Sequence, residues 1–178
     1  DFGHGTIDLK LTKLIQKKSK FLSLNCQTNS LNYGDNIIGK KFTKTDLLSL
    51  DAMELKYFLQ SNINDRKNDL RKIAFKMKTK SCFLTGGKDK AILFKKNKFY
   101  ECESINTNAK DPIGAGDIFH STVTIFYKVI KNEFFKILIG QVAGGIAADI
   151  IGNSDYPKIQ QISKNLDYLI KNWPSRQI

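Results

Sequence analysis

The stretch DPIGAGDIF, Asp111 to Phe119, decides how this chain is read. Gly114, Ala115 and Gly116 stand directly before Asp117, and a hydrophobic run follows at once. Ile118, Phe119, Thr122, Val123, Phe126, Tyr127 and Ile130 then mark one face at helical spacing, so the small residues fall where a helix begins. A helix start presents N–H groups without intrahelical acceptors and about half a positive charge. Glycine and alanine let an anion approach those groups closely. The turn therefore reads as a backbone anion hole. Asp117 beside it is placed to accept a proton from a hydroxyl attacking a phosphoryl group. The same residues also suit an ordinary helix start, where small residues and aspartate serve as caps. The local physics fits both readings.

The chain alternates between two periods. LKLTKLIQKK predicts a short amphipathic helix with Leu11, Leu14 and Ile15 on one side. KFLSLNC is a compact apolar run that predicts a buried strand ending at Asn25, and DLLSL, Asp46 to Leu50, predicts another. Two helices follow, DAMELKYFLQ and a basic one from about Asn68 to Lys78. In the second, Leu70, Ile73, Ala74 and Met77 form a single stripe. SCFLT predicts a third strand that stops at Gly86-Gly87, and AILFK and KFYECES flank Lys96-Asn97 as a hairpin. Beyond Asp117, a helix from about Glu133 to Ile150 is apolar nearly all round and should be buried. Its Ala143, Gly144, Gly145, Ala147 and Ala148 allow close backbone approach. Pro157 opens a last helix with Ile159, Ile162, Leu166 and Leu169 in register. This alternation predicts an α/β layered fold, a mostly parallel sheet flanked by helices, in one domain spanning residues 1–178.

Composition narrows the function classes. At 178 residues and 41% hydrophobic the chain can bury a real core and is not disordered. No apolar run approaches the ~20 residues that cross a bilayer, and no leader pattern opens the chain. Cys26, Cys82 and Cys102 are odd in number and far apart, which argues against a zinc site or a disulfide framework and suits a reducing cytoplasm. The net charge of +12 is carried mostly by scattered lysines, with arginine only at 66, 71 and 176. Bidentate readers of bases and phosphates lean on arginine. The charge therefore reads as solvated surface that attracts anionic substrates, not as a nucleic-acid groove. No G-x-x-x-x-G-K-[ST] or strand-borne G-x-G-x-x-G is present. Asp1-Phe2-Gly3 lacks the companion segments of a protein kinase. His120 reads as a packed residue, and His4 fits a ligand contact and a loop residue equally.

In parallel α/β sheets, ligands collect at the carboxyl ends of strands. Asn25, the Asp51/Glu54 pair, Thr85-Gly86-Gly87 and the Gly114–Asp117 turn all fall at such ends.

DPIGAGDIFH resembles the signature of the ribokinase-like (PfkB) carbohydrate kinase family. LNCQTNS is similar to that family's strand-end asparagine segment, SLDAMEL to its N-x-x-E segment and FLTGGKDKAILF to its nucleotide loop and hairpin. IGQVAGGIAADIIGN followed by YPKI is similar to its Ala-rich penultimate helix and closing proline. The resemblance implies a catalytic base at Asp117 and an anion hole for the ATP γ-phosphate from the amides of Gly114, Ala115 and Gly116. It places Asn25, Thr85 and Gly87 beside the ATP phosphates and Gln141 at the adenine pocket. It assigns Glu54, with Asp51, to Mg²⁺, and Asp111 to a monovalent cation. Asp51 stands where the family usually has Asn, and Lys90 where a glycine is common. DFGHG further resembles the D-Y-x-K-G segment of the heptose-phosphate kinase branch. The implied activity is transfer of the γ-phosphate to a hydroxyl of a sugar or sugar phosphate. The implied setting is cytoplasmic, without membrane or nucleic-acid partners. A homodimer and a covalent fusion to a nucleotidyltransferase domain are both compatible with it. The family's N-terminal half, with its sugar-binding residues and lid, has no counterpart in these residues. The chain then corresponds to the C-terminal, nucleotide-binding portion, either catalytic within a larger chain or a non-catalytic remnant.

Overall fold

The computed structural model describes residues 1, 3–27 and 37–172. The chain forms two compact units. The first comprises Asp1–Thr85 with Ile92–Phe99, the second Gly86–Ala91 with Tyr100–Ile178. Five strands form one sheet in sequential order: β1 (Ser23–Asn25), β2 (Leu47–Leu50), β3 (Ser81–Leu84), β4 (Ala91–Lys95) and β5 (Lys98–Cys102). β1, β2 and β3 are parallel, with Ser23 opposite Leu47 and Leu47 opposite Ser81. β4 turns antiparallel to β3, placing Cys82 opposite Phe94.

In the first unit, every residue of β2 and β3 is buried, as expected of strands covered on both faces. Their core side chains pack with those of α3 (Ala52–Leu59) and α4 (Arg66–Lys76) in one cluster that includes Leu48, Leu50, Leu55, Leu70, Ile73 and Leu84. α4 begins two residues earlier than its apolar stripe predicts, because the Asp65 carboxylate accepts from the N–H groups of Lys67 and Asn68. Likewise β2 starts at Leu47, since the Asp46 carboxylate instead accepts from the Leu22 N–H at 3.0 Å and the Lys80 ammonium at 2.8 Å. The turn between β4 and β5 has positive φ at both Lys96 (48°) and Asn97 (60°), the requirement of a tight type I′ hairpin.

At the outer edge of β1, the Asp1 amino group donates to the Asn25 carbonyl at 3.0 Å. The Asp1 carbonyl accepts from the Gln27 N–H at 3.0 Å. That is the bond pattern of a parallel ladder. The Asp1 carboxylate is held by Lys41 Nζ at 2.6 Å. Lys41 closes α2 (Ile38–Lys41), a single turn with no signal in the sequence reading. In α1 (Leu9–Lys18) only Ile15 of the predicted face packs against the core; Leu11 and Leu14 are exposed, and Thr12 is the buried residue. The Thr12 hydroxyl donates to the Asp8 carbonyl at 2.8 Å, which lets a polar side chain take the inner position.

The second unit contains α5 (Ala115–Phe126), α6 (Glu133–Ala147), a 3₁₀ turn (Ile151–Asn153) and α7 (Ile159–Asn172). α5 turns Phe119, Thr122 and Val123 inward. α6 is buried over most of its length, with one departure from its apolar character. Lys136 is buried too, with its ammonium 2.9 Å from a Glu133 carboxylate oxygen and 4.8 Å from the centre of the Tyr127 ring. α6 ends at Ala147, earlier than expected, and the Ala148 carbonyl accepts from the N–H groups of Lys110 and Asp111. Of the four positions expected to seat α7, only Ile162 is buried, and Ile159 is exposed.

Small residues let α5 and α6 approach closely. A Cβ on Gly140 would stand 2.6 Å from Phe119 Cε2 and 2.8 Å from Val123 Cγ2. Gly140→Val is therefore expected to lower stability by about 2 kcal/mol or more through overpacking. Urea unfolding midpoints would show it, and an unchanged midpoint would refute the close approach.

Candidate active site

The carboxyl ends of β1, β2 and β3 hold four of the singled-out residues in the first unit. Asn25 ends β1. Thr85 follows β3 and is tied to β2, its N–H donating to the Leu50 carbonyl at 2.8 Å and its hydroxyl lying 3.3 Å from the same oxygen. Asp51 and Glu54 form a capping box at the start of α3. The Asp51 carboxylate accepts from the Glu54 N–H at 2.8 Å, and the Glu54 carboxylate accepts from the Asp51 N–H at 2.9 Å. The D-x-x-E spacing is itself the sequence signal of that cap. No group of three His, Cys, Asp or Glu side chains comes together among the described residues.

The second unit holds the Gly114–Asp117 turn. Gly114 has φ +80°, the left-handed conformation that glycine adopts without steric cost, and it is the N-cap of α5. The Ala115 N–H donates to the Pro112 carbonyl at 3.2 Å, so this amide is already committed. The N–H groups of Gly114, Gly116 and Asp117 have no acceptor among the described residues. A Cβ on Gly116 would meet nothing within 4 Å. Packing therefore does not demand glycine at 116; its missing side chain leaves open space in front of the helix start.

The Asp117 carboxylate projects from the first turn of α5, half-buried, and no donor bonds it among the described residues. Burial raises its pKa above the ordinary aspartate value. Burial also pushes His120 down to about 4, so the imidazole is neutral near pH 7. Asp111, in contrast, is tied down. Its carboxylate accepts from the N–H of Ile113 at 3.1 Å and of Gly152 at 2.8 Å, and these bonds lower its pKa. It thereby holds the loop before Gly114 to the 3₁₀ turn.

The glycine pair after β3 divides its work. A Cβ on Gly86 would lie 2.4 Å from the Lys90 carbonyl oxygen, so the loop closes only around glycine. Gly87 has φ +60°, and a Cβ there would meet nothing within 4 Å. Lys90 is paired with Glu101 at 2.7 Å. The Gln141 amide faces the end of β5, with Nε2 3.4 Å from the Cys102 carbonyl and 3.3 Å from that of Glu103. The three cysteines are buried and form no disulfide; burial pushes Cys26 up to about 11 and Cys102 up to about 12, far from a reactive thiolate. No described helix is long and apolar enough to cross a membrane.

Residues 21–127, more than half of the chain, match the model of the pfkB family carbohydrate kinases. Solved structures share the fold at low identity. Phosphofructokinase-2 from Escherichia coli, in complex with substrates and products, superposes with a TM-score of 0.75 at 17% identity, covering 93% of this chain and 54% of that one. Ribokinase from Thermotoga maritima gives 0.71 at 18%, covering 90% and 54%. Arabidopsis thaliana ribokinase complexed with ribose and ATP gives 0.72 at 18%, covering 89% and 51%. The chain thus spans about half the length of the solved structures it resembles. None of the curated proteins matches it significantly.

Proposed function

Because the chain belongs to the pfkB family of carbohydrate kinases, we propose that it is the nucleotide-binding portion of an ATP-dependent kinase acting on a sugar or sugar-phosphate hydroxyl. One observation carries this reading: a left-handed Gly114, open space at Gly116 and the unbonded, half-buried Asp117 occur together at one helix start. Capping alone explains a small residue and an aspartate there. It does not explain why a carboxylate is desolvated without a donor. The amides of Gly114, Gly116 and Asp117 would cradle the γ-phosphate, with the helix dipole offsetting its charge. Gly87 would let the backbone of its loop approach the phosphates. Asp117 would take the proton of the attacking hydroxyl.

ATP fits these residues, since the two glycines leave space where a Cβ would otherwise stand. Asp51 and Glu54, within the first unit, are hard oxygen donors of the kind that suits Mg²⁺. When bound it would neutralise phosphate charge. For Asp111 the carboxylate's two N–H bonds support a loop-holding role beside any contact to a monovalent cation. The acceptor would be a sugar, with a heptose phosphate suggested by the Asp1–Gly5 segment. Three buried cysteines without a disulfide suit a reducing cytoplasm. The capping box favours a second reading, a non-catalytic nucleotide-binding module, because it accounts for Asp51 and Glu54 without a metal.

The 178-residue chain alone is expected to bind Mg-ATP weakly and to show no steady sugar phosphorylation. It covers about half of each kinase it resembles, and without the other half the ~7–11 kcal/mol available from positioning the acceptor is lost. Titration calorimetry and a coupled kinase assay on the same folded sample test both parts. Steady turnover would overturn the half-enzyme reading, and no heat up to millimolar Mg-ATP would overturn the nucleotide site.

A further inference from the structure

Asn106 lies between the strand end and the start of α5 and belongs to none of the groups assigned above. Its side chain makes three hydrogen bonds. Nδ2 donates to the Gly145 carbonyl and to an Asp149 carboxylate oxygen, both at 3.0 Å, and Oδ1 accepts from the Asn108 N–H at 3.1 Å. The fit against α6 is close, since a Cβ on Gly145 would stand 3.4 Å from Asn106 Cβ. On the other side, the Ser104 hydroxyl lies 2.9 Å from the Gly87 carbonyl and 3.1 Å from the Asn106 carbonyl, sharing its one proton between them. One residue before Gly145, Gly144 lets α6 come against the helix start: a Cβ there would be 3.1 Å from the Ala115 carbonyl oxygen. A continuous chain of contacts therefore runs from the Gly87 loop through Ser104 and Asn106 to α6, and from α6 to Ala115 beside the phosphate cradle.

We infer that Asn106 is a positioning residue, which anchors the Gly86–Lys90 loop to α6 and so sets its register against the start of α5. The functional side of this inference rests on the nucleotide-binding reading above; the anchoring itself does not. Asn is the side chain the position requires, because only an amide offers two donors and an acceptor at that reach. An aspartate would keep the acceptor for Asn108 but place a second carboxylate against Asp149 and against the Gly145 carbonyl.

The test compares the 178-residue chain with Asn106→Ala, Asn106→Asp and Ser104→Ala, by amide hydrogen exchange and by Mg-ATP titration. The reporter is the Asp89 N–H, bonded to the Gly86 carbonyl at 3.0 Å within the loop. All three variants should speed its exchange by about tenfold, while the amides in the first half of α6 keep their rates. Mg-ATP affinity should fall about tenfold in parallel. Unchanged Asp89 exchange, or exchange that rises equally throughout the unit, would overturn the anchoring. Faster loop exchange with undiminished Mg-ATP affinity would reduce Asn106 to a structural residue and overturn the positioning role. If the loop loosens selectively but the unsubstituted chain takes up no Mg-ATP, the anchoring stands and the nucleotide reading falls. If Ala and Asp both prevent folding, Ser104→Ala decides on the same readouts, because it removes only the link from Asn106 to Gly87.

Discussion

In a kinase chain that also carries the sugar-binding half, Asp117→Asn is expected to lower kcat by at least ~10²–10⁴-fold, the usual worth of a general base. ATP affinity should stay the same or rise slightly, because the lost carboxylate would repel the γ-phosphate. Asn has the size of Asp, so the helix start keeps its shape, but it cannot accept the hydroxyl proton. Stability separates this expectation from simple capping. A first-turn carboxylate that serves only the helix dipole would cost about 1 kcal/mol or less when replaced, and turnover would survive. Here burial raises the Asp117 pKa in the fold. The folded protein therefore holds that proton more tightly than the unfolded chain does. The ionised form is disfavoured in the fold, so stability falls as pH rises from the unfolded value through the raised folded one. Above that window, the Asp117→Asn variant would escape the penalty and its melting temperature should not drop. Below the window the two proteins should converge. By the same shift, activity of the unsubstituted enzyme should fail on the acid side at a higher pH than an ordinary aspartate near 3.9 would give. A folded variant with near-normal kcat would defeat the mechanism.

The strands and long helices were legible because their burial follows period and punctuation. Leu47–Leu50 and Ser81–Leu84 are short apolar runs stopped by an acid and by a glycine pair, and both are fully buried. What the sequence hid is mostly polar. Thr12 is buried in place of Leu11 and Leu14 because a hydroxyl can bond back to its own helix, a contact no hydrophobic pattern encodes. Lys136 is buried because Glu133 and the Tyr127 ring receive it. α2 is a single turn, too short for any periodicity. At the candidate site, the glycines and Asp117 stand out by their order along the chain. Their division of labour does not. That Gly86 is steric, Gly87 and Gly116 open, and the Ala115 amide already committed depends on where the backbone turns. Asn106 left no trace, since a lone asparagine in a polar loop looks like any turn residue.

Gly116 permits the sharpest separation of fold from function. At a position whose backbone alanine can adopt, replacing glycine by alanine normally gains stability, about 0.4–1 kcal/mol, because the unfolded chain loses freedom that glycine had. Gly116 has no positive φ and a Cβ there meets nothing within 4 Å among the described residues, so packing does not oppose the exchange. Gly116→Ala should thus hold or raise the melting temperature. The space the methyl would enter is the space assigned to the γ-phosphate, and Gly116→Val would fill it further. Forcing an extra group into a fitted contact costs about 1–3 kcal/mol, which corresponds to a loss in Mg-ATP affinity of roughly 5- to 150-fold. Valine should lie at the upper end and alanine at the lower. The combination of unimpaired stability with graded loss of nucleotide is what a cradle for an anion demands and what a helix cap does not. If both variants melt at or above the original temperature and bind Mg-ATP as well as it does, the phosphate lies elsewhere, and the helix start is only a helix start.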